Sequence, residues 1–312
     1  MKNKLFFSLV ALLSAFGMCD SSFATNMQND TLSVSKKEVS KSDSVYTKIT
    51  GKEFFECNTV VNVFSKGDTF YVEMPVELMG REFLVTNRLQ KVQQELNEAG
   101  VNKGIVYQNQ TLMFETDSLF KHITIRQQRI TPEVPADDVI KESVYDNYVN
   151  PILARIKIDA VSPNKESVVF QVNEFFNGSN TCINDLFNNI NLGTSVISNL
   201  SRIISIKAFE NNLTATAELT TKVIEGKSSV NVTSVVSSTL TLLPKEPMMA
   251  REESNRVGYF TVSNLKYTDE QQSVERKHYV TRWRLEPSDK EAYIRGELVE
   301  PVQPIGFYVD KA

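Results

Sequence analysis

Two histidines, three cysteines and one tryptophan set narrow limits on the chemistry this chain can do. A zinc hydrolase of the H-E-x-x-H kind needs two imidazoles one helical turn apart, so that both reach one ion, with a glutamate between them as base. His122 and His278 are the only histidines and lie far apart, so that motif cannot be written here. The twelve glycines form none of the phosphate- or dinucleotide-cradling patterns, nor the nucleophile elbow of many serine hydrolases. Glu275 and His278 have the E-x-x-H spacing that helical bundles use for two-metal sites, but the segment reads as a strand and a second copy is missing. The carboxylate pairs Asp137-Asp138 and Glu252-Glu253 are sequence neighbours, which on a strand point to opposite sides and read as solvated charge. A dispersed Ser/His/Asp or Cys/His site stays open, because such partners are scattered along a chain; two histidines and no elbow weigh against it.

Residues 274–285 are the densest cluster of side chains suited to recognition. Read as a strand, the segment lines Tyr279, Thr281, Trp283 and Leu285 along one face and Arg276, His278, Arg282 and Arg284 along the other. A row of arginines repels itself unless carboxylates or a partner answer it. Guanidinium forks pair bidentately with carboxylates, so Glu286, Glu297, Glu300 or an acidic neighbouring surface are the natural partners. The segment is thus either a docking strand between domains or an exposed strand with solvated arginines.

The elements that must position these residues are mostly strands. Lys2 and Lys4 precede an apolar run over residues 5–18, and Ser22-Phe23-Ala24 offers small residues where a signal peptidase reads; residues 1–24 are expected to be a signal peptide, too short to span a bilayer. The chain is accordingly expected to be exported: periplasmic, outer-surface or secreted, with no transmembrane span in the mature chain. Cleavage would leave Cys57 and Cys182, either a single disulfide or two buried thiols. Residues 25–50, rich in Ser, Lys, Asp and Asn, read as a flexible tether. A hairpin is expected around Lys66-Gly67-Asp68, a third strand over 82–92, further strands over 112–115, 123–129, 152–161 and 167–172, and helices over 135–148 and 183–190. Strict alternation of Leu213, Ala215, Ala217 and Leu219 with threonines and Glu218, then of valines and leucines over 230–242, predicts a long antiparallel hairpin with one face buried. The fold class is α+β and β-rich. Its divisions are a small N-terminal β subdomain over 51–95, a β-rich domain over 96–250 and connector strands over 251–312. The net charge of −4 argues against a nucleic-acid partner.

Several ordered blocks resemble a family of large secreted bacterial zinc-dependent metalloproteases of metzincin type. They are Leu242-Leu243-Pro244-Lys245-Glu246-Pro247-Met248-Met249, Arg256-Val257-Gly258-Tyr259-Phe260, Glu275-Arg276-Lys277, Thr281-Arg282-Trp283-Arg284-Leu285-Glu286-Pro287 and the stretch from Asp289 to Pro301. A fainter likeness covers Phe70-Tyr71-Val72-Glu73-Met74-Pro75 and Leu78-Met79-Gly80-Arg81, which resemble a small domain at the family's N-terminus. The resemblance implies that the blocks belong to a non-catalytic domain of unknown function ahead of the protease domain. Pro304-Ile305-Gly306-Phe307-Tyr308-Val309-Asp310 looks like the strand leading into that protease domain. The zinc motif would lie downstream, so no zinc ligand and no catalytic residue carries over onto this chain, and zinc is expected only in the catalytic domain. Where the family pattern has an aspartate ahead of Arg256, this chain has Ser254-Asn255.

The expected function is therefore that of a non-catalytic region which folds, docks or latches a protease catalytic domain, in cis or in trans. Arg256, Tyr259, Arg276, Arg282, Trp283, Arg284 and Glu286 are the candidate interdomain docking residues. The alternatives are a free-standing periplasmic or surface binding module acting on a partner in trans and, ranked last, an enzyme of another kind.

Overall fold

The computed structural model describes residues 41–51, 59–129, 132–225, 228–307 and 309. The expected signal segment, residues 25–40 of the expected tether, and Cys57 lie outside these. The last ten residues of that tether are not extended. They form helix α1 (Lys41–Thr50), although Ser, Thr and β-branched residues give them weak helix propensity. Tertiary packing makes up the difference: Tyr46 is 2% exposed and packs with Ile49 beside Ala160 and Val169.

Strands β1 (Asn62–Lys66) and β2 (Thr69–Pro75) form the hairpin expected at Gly67, and β3 (Glu82–Lys91) follows. Helix α2 (Gln94–Glu98), strands β4 (Val106–Thr116), β5 (His122–Gln128) and β6 (Pro132–Glu133), and helix α3 (Lys141–Asp146) come next. Strands β7 (Ile152–Lys157), β8 (Ala160–Val161) and β9 (Ser167–Gln171) lead to helices α4 (Asn173–Phe176) and α5 (Leu186–Asn189). Strand β10 (Arg202–Ala208) precedes the long hairpin β11 (Asn212–Glu225) and β12 (Ser228–Leu242). Strands β13 (Thr261–Lys266) and β14 (Glu275–Val280) and helix α6 (Lys290–Ile294) complete the described part. The chain is α+β and β-rich, as its periodicity predicts. Among the described residues no helix is long and apolar enough to cross a membrane.

One sheet has the order β1-β2-β9-β8, and the larger has the order β10-β11-β12-β3-β4-β5-β7; all of these pairings are antiparallel. Residues 51–95 do not form a separate subdomain: β2 pairs with β9, and β3 lies between β12 and β4. These three strands are divided between the two sheets and bury their apolar side chains against later ones. Leu213, Ala215, Ala217 and Leu219 of β11 all point into the core, with exposures of 5% or less.

That core is divided. One cluster, with Val72, Phe83, Leu112, Ile125, Val168 and Phe170, fills the space between the two sheets. The other, with Leu89, Leu186, Phe187, Leu219 and Val236, lies at the far end of the large sheet. Between them buried strand side chains hold the irregular segment 182–185. Asn87 Nδ2 donates to the Ile183 carbonyl at 2.6 Å, Gln110 Nε2 donates to the Cys182 carbonyl, and Gln108 Oε1 accepts from Asp185 N at 3.0 Å. Asn184 donates to Ser238 Oγ and accepts from the Tyr107 hydroxyl. Backbone without a ladder partner is thereby satisfied inside the protein. Four residues ahead of this segment Gly178 has φ +78°, and an added Cβ would lie 2.6 Å from Val196 Cγ2, so a glycine is required there.

Candidate docking surface

After β12 the chain leaves the large sheet as a long arm. Arg81 fixes its root: Nη2 donates to the Leu243 carbonyl at 2.7 Å, and Leu243 N donates to Glu82 O at 2.9 Å. The arm then runs antiparallel to residues 278–284. Near β14 backbone bonds hold the two segments together, with Glu253 N donating to His278 O and Val280 N to Arg251 O, both at 2.9 Å. Beyond Val280 arginine side chains take over. Arg282 Nη2 donates to the Met249 carbonyl at 2.9 Å, and Arg284 Nη1 donates to the Glu246 carbonyl at 3.1 Å.

The arginine row of the sequence reading is therefore not one face of one strand. The strand ends at Val280; Thr281 N still donates to the Phe260 carbonyl at 2.9 Å, and from Arg282 onward guanidinium groups bind the arm where no ladder runs. Arg276, on the strand, donates to Ser263 Oγ at 3.1 Å. Only Arg284 meets a carboxylate from the expected set, Glu286, at 3.1 Å; Glu297 pairs with Arg295 at 2.7 Å. Arg256 lies in an exposed turn whose backbone N donates to Ser254 Oγ at 3.4 Å, a local bond that an aspartate there could also make.

A small third sheet, in the order β14-β13-β6, roots the arm a second time. Strand β13 pairs with β14 antiparallel and with β6 parallel. The Tyr279 hydroxyl donates to Glu133 Oε2 at 2.7 Å, and that bond, more than burial, pushes the Tyr279 pKa up to about 12. Asp138 ties both sides: Oδ1 accepts from Ile140 N and Oδ2 from Asp269 N. The helix expected over 135–148 is accordingly only α3, since residues 132–140 are used for the β6 pairing and this turn.

The arm exposes large apolar side chains on irregular backbone. Phe260 is 89% exposed, Trp283 65% and Leu298 105%, and Met249, Tyr259, Ile294 and Phe307 are exposed as well. Residues 286–302 form a loop with tied ends: Ser288 N donates to Glu300 O and Val302 N to Glu286 O. Inside that loop Asp289 caps α6 by accepting from Ala292 N at 2.9 Å. The loop presents Tyr293, Ile294, Leu298 and Val302 outward and buries only Ala292 of α6. Trp283 and Tyr259 were singled out in the sequence. Phe260, Met249, Ile294 and Leu298 lie within the resemblance blocks but not among the docking candidates, because isolated apolar residues without a period carry no face assignment.

The other chemical candidates are not assembled into a reactive site. Glu275 pairs with Lys277 at 3.0 Å, which holds its carboxyl below the usual range; His278, three residues on along a strand, faces the other way. His122 Nδ1 lies 3.8 Å from Asp117 at the start of β5. Burial pushes the Cys182 thiol up to about 12, which leaves it protonated and unreactive. Among the described residues no three His, Cys, Asp or Glu side chains converge as a metal site.

Comparison with known families decides one point. The profile of a domain of unknown function, DUF5117, matches residues 104–288, more than half of the chain. The chain belongs to the DUF5117 family. A second domain of unknown function, DUF5118, matches residues 60–92. No curated protein and no solved structure matches significantly. The DUF5117 match runs from just before β4 through Arg282, Trp283 and Arg284, so β4 to β12 and much of the arm lie within one family unit. The DUF5118 match covers β1 to β3, which complete both sheets of that body.

Proposed function

We propose that this DUF5117 chain is the non-catalytic region of an exported zinc-dependent metalloprotease-like protein, and that its arm docks a catalytic domain in cis or in trans. The observation that carries the reading is the exposed apolar surface of the arm, held in place by arginine-to-carbonyl hydrogen bonds. A segment that leaves so many large apolar side chains open to water is a natural place for a partner to cover. The resemblance of these same blocks to the segment ahead of a protease domain supplies the partner. Arg256, Tyr259, Arg276, Arg282, Trp283, Arg284 and Glu286 lie on or beside this surface, some as ties within the arm and others free to meet the partner.

Limited digestion with chymotrypsin tests the reading. In the isolated 312-residue chain the first cuts should fall after Phe260, Trp283 or Tyr293. In the native species purified from the producing cell's envelope those bonds should be protected. Equal cleavage at these bonds in both would sink the docking role.

A further inference from the structure

The large sheet ends at β7, and beside that edge lies a cleft of about 380 Å³ unconnected with the arm. It opens beside residues 154–157 of β7, Arg155 and Lys157 among its lining, with Asp159, Gln171, Glu174 and Phe175 lining the rest. We propose that this edge binds an extended polypeptide as an added strand, and that it selects acidic residues alternating with apolar ones.

The backbone argument comes first. Ile158 N donates to Lys121 O of the neighbouring strand segment, and Ile156 is paired with Ile123. Groups facing a neighbour alternate along a strand, so the N–H and C=O of Arg155 and Lys157 point away from β5, into the open edge. Among the described residues no backbone partner meets them. An incoming strand would find donors and acceptors already aligned, the arrangement that β-augmentation uses.

The side chains then choose the partner. Residues 154 and 156 face inward, where Ala154 and Ile156 pack against the core. Arg155 and Lys157 lie on the other face of the strand, are exposed, and make no salt bridge among the described residues, although Lys157 interacts electrostatically with Asp159 and Arg155 with Asp117. Opposite charges directly across two strands attract, and like charges repel. A strand laid on β7 therefore gains from carboxylates opposite Arg155 and Lys157. Its intervening side chains enter the cleft, whose apolar part is Ile156 and Phe175 and whose far wall carries Asp159 and Glu174. That wall disfavours further carboxylates pointing inward. Burial raises the Asp159 pKa, although Gln171 N donates to the carboxylate, so added negative charge there is opposed. An edge protected by two cations against self-association would need no such cleft.

The test uses the 312-residue chain and two fluorescent heptapeptides, one alternating glutamate with leucine and one alternating lysine with leucine. The acidic peptide should bind saturably and the basic one at least about fivefold more weakly, as expected for two cross-strand charge pairs. Reversing both charges, Arg155→Glu with Lys157→Glu, should invert that preference. Arg155→Pro, which removes one outward N–H and leaves the bonds to β5 intact, should abolish binding of both peptides. Circular dichroism and the unfolding midpoint establish that each variant is folded. No saturable binding by the parent chain, or binding insensitive to both the charge reversal and the proline, would overturn the proposal.

Discussion

Glu73 is 3% exposed, yet among the described residues no cation answers it. Tyr46 donates to Oε1 at 2.7 Å, the Ser167 hydroxyl donates to the same oxygen, and Asn62 Nδ2 donates to Oε2 at 3.0 Å. A buried carboxylate stays acceptable only when its oxygens are hydrogen-bonded, so each donor matters to the fold. Tyr46 is the member that links a separate element, α1, to β2; burial and the Glu73 bond both raise its pKa, burial more. Tyr46→Phe keeps the ring and deletes one bond to a charged group, so it should lower the unfolding free energy by about 1.5–3 kcal/mol in urea titration. A change within error would show that α1 is held by apolar contact alone. None of this was legible in the sequence. Tyr46 stands among Ser, Lys and Thr with one apolar neighbour a turn away, and Glu73 sits at a strand position that alternation alone cannot label as paired or solvated.

At the scale of elements, legibility followed the way each segment is buried. The β11–β12 hairpin was readable because one face packs on the core and the other meets water, which writes a period of two into the sequence. The polar row that holds residues 182–185 was not, since Asn87 and Ser238 occupy inward positions where alternation predicts apolar residues. The arm was half legible. Its arginines and tryptophan stood out, but a strand was expected through Leu285, and beyond Val280 guanidinium groups bind carbonyls where a ladder would otherwise run. Those two arginines should therefore act locally. Replacing Arg282 and Arg284 together by Gln should speed amide hydrogen exchange over residues 246–253 and 278–284 by about fivefold, the equivalent of about one net hydrogen bond. The global unfolding midpoint should stay put, because the ties are solvent-exposed. A large drop in that midpoint would mean that the arm is part of the cooperative core.

At the scale of the molecule, the body and the arm differ in how completely they are covered. The two sheets enclose their own apolar clusters, and the segments matched by the two family profiles contribute strands to the same pair of sheets. The arm, rooted through Arg81 and through the small sheet on Glu133, instead turns Phe260, Trp283, Ile294 and Leu298 outward. A body with its own buried core, carrying an arm with exposed apolar side chains, is the arrangement on which the docking proposal rests. The sequence pointed to that role through ordered blocks rather than through any reactive group, and the geometry adds the surface with which the role would be carried out. The most direct test is to recover the native protein from its producer's envelope and measure its intact mass, bound zinc and chelator-sensitive proteolysis together. The account predicts these peptides in a species, or a stable complex, well above 35.3 kDa, with zinc and with proteolysis that a chelator abolishes. A free species at or just below that mass, without zinc or associated metal-dependent proteolysis, would contradict it.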